Sequence, residues 1–105
     1  MKLKKGVNPL RLQPEMVLAL MVAENVWFDN GQELVVTSLN DSEHSRQSLH
    51  YSGNAADLRI RYFAPNQHGS IEQQLRDALG NNPDYDIVLE ATHIHIEYQP
   101  KRRSL

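Results

Sequence analysis

HIHIEY, residues 93–98, is the stretch whose reading decides the fold. At a strand's period of two, His93, His95 and Glu97 fall on one side and Ile94, Ile96 and Tyr98 on the other. One face is core and the other is polar. The segment before it, Asp86 to Glu90, is also strand-like, and the few residues between the two leave no room for a helix. Upstream, Leu58, Ile60 and Tyr62 alternate with Asp57, Arg59 and Arg61, which predicts another strand with one apolar face.

Between these strands, Ser70 opens a helix with Gln73 at capping-box spacing. Ile71, Leu75, Ala78 and Leu79 form its apolar stripe, and Gly80 stops it. GNNPD at 80–84 is punctuation between helix and strand. Toward the amino end, PEMVLALMVAENV at 14–26 reads as a first helix: a proline suited to the first turn, an acid beside it, then strong helix formers. Being apolar on nearly all sides, it is expected to be buried, with Trp27 and Phe28 entering the core. Asp29, Asn30 and Gly31 mark a turn, and Glu33 to Leu39 is a short β-branched strand. Residues 40–54 are polar and rich in Ser, Asn, His and Gly, a long loop of the kind that carries function. His68, in NQHGS, is read as a surface residue.

The expectation is a single small α+β domain over 1–105, with a mainly antiparallel sheet carrying the site on one face and two helices on the other. A chain of 105 residues buries roughly two-thirds of its unfolded surface, enough for one two-layer core. There are no cysteines, so any metal must be held by histidine and carboxylate. A net charge of −2 creates no field that gathers nucleic acid, and Lys2, Lys4, Lys5 and Lys101, Arg102, Arg103 read as solvated ends. The apolar run Met16 to Ala23 is too short to span a bilayer, and no small-x-small cleavage site follows it, so neither membrane insertion nor a signal peptide is expected.

Two neighbouring imidazoles on one sheet face repel when protonated, so His93 and His95 make sense if a cation or a substrate holds them. Taken alone, the pair is equally well read as an exposed strand face that tolerates histidine. His50 and Asp57 add to it. They converge if the chain folds back between them, where Gly53 and Asn54 tolerate unusual backbone angles and Ala55 and Ala56 permit close approach. Asp57 is expected on the polar face that the histidines share. His50, Asp57 and one histidine of the pair form a two-nitrogen, one-oxygen set, which zinc uses in catalytic sites with water in the fourth position.

Ser48-x-His50-x-x-Gly53-x-Ala55-x-Asp57 together with His93-x-His95 resembles the signature of the zinc D-alanyl-D-alanine peptidases of bacteria and phage and of the related hedgehog amino-terminal domain. The resemblance covers residues 44–97, about half the chain. It implies that His50, Asp57 and His95 bind Zn2+, that His93 stabilises an oxyanion beside the metal, and that His44 matches a further active-site histidine of hedgehog-like members. Such families place the general-base acid three or six residues before the last zinc histidine, where this chain has Thr92 and Leu89. Glu90 is the nearest acid and is assigned the base, reaching the site by a β-bulge or shifted register, with Glu97 second. Arg46 and Ser48 are assigned to substrate binding, the arginine through a substrate carboxylate.

The implied activity is zinc-dependent hydrolysis of peptide bonds in bacterial peptidoglycan stem peptides, between D-alanines or at the L-alanyl-D-glutamate bond. A phage endolysin, made in the cytoplasm and released to the cell wall, and a bacterial wall-remodelling enzyme both fit. The alternatives are a non-catalytic zinc-binding interaction module of hedgehog type and a metal-free interaction protein with incidental histidines.

Overall fold

The computed structural model describes residues 1–10, 12–39 and 54–101. Among them the elements run β1 (Lys2–Leu3), α1 (Pro14–Asp29), β2 (Val35–Leu39), β3 (Ala55–Arg59), α2 (His68–Ala78), β4 (Tyr85–Leu89) and β5 (His93–Tyr98), with a single 3-10 turn at Pro65–Gln67 before α2. The strands form one mixed sheet in the order β1-β2-β3-β5-β4. β1 runs parallel to β2, and the other three pairings are antiparallel. Among the described residues the fold is thus α+β, a mainly antiparallel sheet with two helices.

β5 forms over the predicted residues, and its alternation holds: Ile94 and Ile96 are fully buried, while His93, His95 and Glu97 are half-buried on the other face. Leu58, Ile60 and Ile87 join the isoleucines on the core side, and both helices pack there through Met16, Ala19, Leu20, Ala23 and Trp27 of α1 and Ile71 and Leu75 of α2. Polar bonds fix this layer to the sheet. The Trp27 indole N–H donates to the Arg59 carbonyl at 2.9 Å, the Tyr85 hydroxyl to the Glu15 carbonyl at 2.7 Å, and Arg76 to the Ile87 carbonyl at 2.7 Å.

β2 reaches the core face through an irregularity. Val36 pairs with Leu58, but Ser38, not Thr37, pairs with Asp57, and Leu39 with Ala56. The extra residue returns Leu39 to the core, where strict alternation after Val36 would have turned it outward, and it sets Ser38 on the polar face.

Several expectations are corrected. α1 is not buried all round: Val17, Leu18, Met21 and Phe28 are exposed, Phe28 to 76%, whereas Trp27 is 0% exposed. Successive helical residues point about 100° apart, so a helix lying on a single sheet covers Trp27 or Phe28 but not both. Ser70 does not cap α2, which starts at His68 after the 3-10 turn; its hydroxyl accepts from Gln74 within the helix instead. Ala78 of the expected α2 stripe is exposed. His68 is half-buried, and its Nε2–H donates to the Phe63 carbonyl at 3.1 Å. Lys2 and Leu3 are not a free end but the edge strand β1, too short for alternation to announce it. Asn54 does not take a left-handed backbone; it immediately precedes β3, is buried, and its carbonyl accepts from the Tyr98 amide.

Candidate functional site

The antiparallel register of β3 and β5 sets Asp57 opposite His95 and Arg59 opposite His93. On the face away from the helices, β3 therefore presents Asp57 and Arg59, and β5 presents His93, His95 and Glu97. Period-two alternation, dictated by the buried Leu58, Ile94 and Ile96, forces these polar side chains together.

Asp57 Oδ1 accepts from His95 Nδ1 at 2.7 Å, and the other ring nitrogen, Nε2, bonds Glu97 Oε1 at 3.1 Å. Glu97 is held in turn by the Gln99 amide. His93 Nε2 stands 3.7 Å from the same Asp57 oxygen and 3.0 Å from Glu90 Oε2, and its Nδ1 contacts the Thr92 hydroxyl at 3.2 Å. The result is an alternating row across the sheet, Glu90, His93, Asp57, His95, Glu97: three carboxylates for two imidazoles.

Glu90 arrives by a route the sequence did not indicate. The expected bulge or register shift is absent from β4 and β5, which pair regularly from Tyr85↔Tyr98 to Leu89↔Ile94. Glu90 closes the hairpin instead, its amide bonding the His93 carbonyl at 2.9 Å, and this tight turn brings its carboxylate to the His93 ring. Glu97, ranked second as a base, is committed to orienting His95 through the nitrogen that faces away from Asp57.

With a carboxylate on each nitrogen, His95 is held protonated. The Asp57 hydrogen bond, opposed by burial and helped by Glu97, raises its pKa from the ordinary 6.5 to about 9. The folded metal-free protein therefore keeps a proton that the unfolded chain loses above pH 6.5. The stabilisation is complete below that pH and disappears as pH rises through about 9. Urea titrations of the metal-free protein should show a loss of about 1–2 kcal/mol across this window, allowing for the partial exposure of the pair. An Asp57→Asn variant should lose most of this dependence.

The Asp57–His95 pair could supply one oxygen and one nitrogen to a divalent ion. A tetrahedral zinc with bonds of about 2.0–2.1 Å sets its ligand atoms about 3.3 Å apart. Asp57 Oδ1 and His95 Nδ1, hydrogen-bonded at 2.7 Å, would have to open by about 0.6 Å to reach that spacing, while His93 Nε2 stands 3.7 Å from the same oxygen. Glu97 on the second nitrogen of His95 stands where an outer carboxylate would fix that ring if its first nitrogen bound a metal. Among the described residues, however, no group of three or more His, Asp and Glu side chains could hold a metal ion by itself. A further donor is needed. His50, His44, Arg46 and Ser48 lie outside the described residues. No described helix is long and apolar enough to cross a membrane. Neither the protein-family models nor the curated proteins include a match to this chain, so the row of carboxylates and imidazoles on β3 and β5 carries the functional argument.

Proposed function

We propose that this protein is a zinc-dependent peptidase acting on peptidoglycan stem peptides, at the D-alanyl-D-alanine or the L-alanyl-D-glutamate bond, with His50, Asp57 and His95 as zinc ligands. The observation that carries the reading is the Asp57–His95 contact of 2.7 Å across adjacent strands, with Glu97 on the far nitrogen. Asp57 and His95, 38 residues apart in sequence, meet there, which supports the resemblance. The β3-α2-β4-β5 order is compatible with a core of the hedgehog and D-alanyl-D-alanine peptidase type.

When bound, zinc supplies a Lewis acid for the scissile carbonyl and lowers the pKa of a water toward neutrality. The protein's own groups supply the rest. Glu90 accepts the proton of the attacking water and returns it to the leaving amine. His93, beside Glu90 at 3.0 Å, is assigned the stabilisation of the negative charge that builds on the carbonyl oxygen. Glu97 keeps His95 in a fixed orientation, and Arg46 and Ser48 grip the peptide. The protein would be made in the cytoplasm and act at the wall.

Zinc-loaded protein incubated with purified stem peptides should release a product identifiable by mass. Cleavage of none of them removes the proposal. Glu90→Gln should keep one zinc per chain and lose at least about a hundredfold in turnover, the usual contribution of a positioned base. Unchanged turnover would take the base role from Glu90.

A further inference from the structure

A groove of about 540 Å³ opens beside the site, lined by Lys2, Lys4, Lys5, Arg59, Tyr62 and Glu33 among others. β1 supplies its basic rim. Leu3 pairs with Val36 and packs against the core, so alternation sends Lys2 and Lys4 to the opposite face, the one that carries Asp57, Arg59 and His93. Arg59 is the shared wall: it lines the groove, stands opposite His93 in the β3–β5 register, and sits two residues from Asp57 on the same strand face.

Among the described residues, four cationic side chains line this groove against one acid, Glu33. Among the described residues no carboxylate pairs with Lys2, Lys4, Lys5 or Arg59, although the chain as a whole is acidic by two charges. Glu33, its one acid, has its carboxylate 4.0 Å from the Met1 amino group. Four like charges around one concavity repel unless an anion joins them, and partial burial of Arg59 strengthens that attraction. Its planar guanidinium suits a carboxylate bidentately.

Resting on the peptidase reading above, taken at the D-alanyl-D-alanine bond, we propose that this groove is an anion subsite that binds the free glutamyl carboxylate of the stem peptide, about two residues from the scissile bond. The spacing follows from the strand: Arg59 and Asp57 are separated by two residues, about 7 Å, the length of two residues of an extended peptide. The subsite therefore selects acidic peptides over their amidated forms.

The test uses two synthetic stem pentapeptides that differ only in a carboxylate or carboxamide on the glutamyl residue, titrated calorimetrically into metal-free protein and assayed for cleavage with zinc-loaded protein. Wild type should bind the carboxylate form about tenfold or more tightly, as a charged hydrogen bond predicts, with the preference shrinking as salt rises. Lys4→Glu and Arg59→Gln, checked for unchanged thermal unfolding, should abolish the preference, raising KM for the acidic peptide while kcat holds. Lys2→Gln, at an exposed position, guards against misfolding of either. Equal binding of the two peptides, or a preference that survives all three substitutions, overturns the subsite while leaving cleavage intact. A carboxylate preference without cleavage keeps the subsite and removes the peptidase reading. Tighter capture of short single-stranded DNA than of the acidic peptide, lost in the same variants, also overturns it.

Discussion

On the zinc-peptidase reading proposed above, Asp57→Asn is expected to cost at least about a hundredfold in zinc affinity, more than the tenfold to hundredfold typical of losing an outer hydrogen bond to a ligand. Turnover of the stem peptide should fall by about a thousandfold or more, the rate equivalent of the several kcal/mol that a metal supplies to such a transition state. Asn keeps the shape of Asp57 but removes its charge. It leaves His95 without its shortest partner and His93 without a carboxylate at 3.7 Å. Asp86 is the control: it stands opposite Glu97 on the same sheet face, but its carboxylate is taken by Lys101 at 3.2 Å. Asp86→Asn should leave zinc affinity within about twofold, since an exposed ion pair contributes little. Chelator competition reads both variants, and an Asp57→Asn protein that holds zinc as wild type does would end the metal assignment.

The second large effect is on stability. Trp27→Ala should destabilise the fold by about 3–5 kcal/mol, a large part of the ~5–15 kcal/mol available to a domain. The indole is fully buried, meets Phe63 edge-on at 6.0 Å, and its N–H is the partner of the Arg59 carbonyl. Trp27→Phe restores an aromatic ring but strands that carbonyl, for an intermediate loss of about 1–3 kcal/mol. Phe28→Ala, one residue along and exposed, should change stability by no more than about 0.5 kcal/mol. Chemical denaturation separates the three, and equal losses at both aromatics would contradict the placement of α1. Because Trp27 bonds the backbone of Arg59, partial loss here should also loosen the end of β3 that lines the anion groove.

Residue types and their period carried the secondary structure where one face was clearly apolar. HIHIEY could be read without tertiary information because alternating isoleucines leave one arrangement that buries them, and the histidines then have only the other face. The same logic placed Asp57 with them. α1 was legible as a helix but not as a half-exposed one, since a run of Val, Leu and Met does not say which side the sheet covers. β1 was illegible: two residues have no period.

The pattern of apolar residues along the chain determined an α+β domain, the polar face of β3 and β5, and the membership of Asp57, His93, His95 and Glu97 in it. Only three-dimensional packing decided the rest. The strand order placed Asp57 beside His95, the hairpin turn carried Glu90 to His93, and the pairing of β1 with β2 raised a basic rim next to Arg59. The physical reason is one of range. Alternation is imposed by each residue's own backbone and is written locally, whereas which strands become neighbours depends on how the whole apolar surface is covered at once.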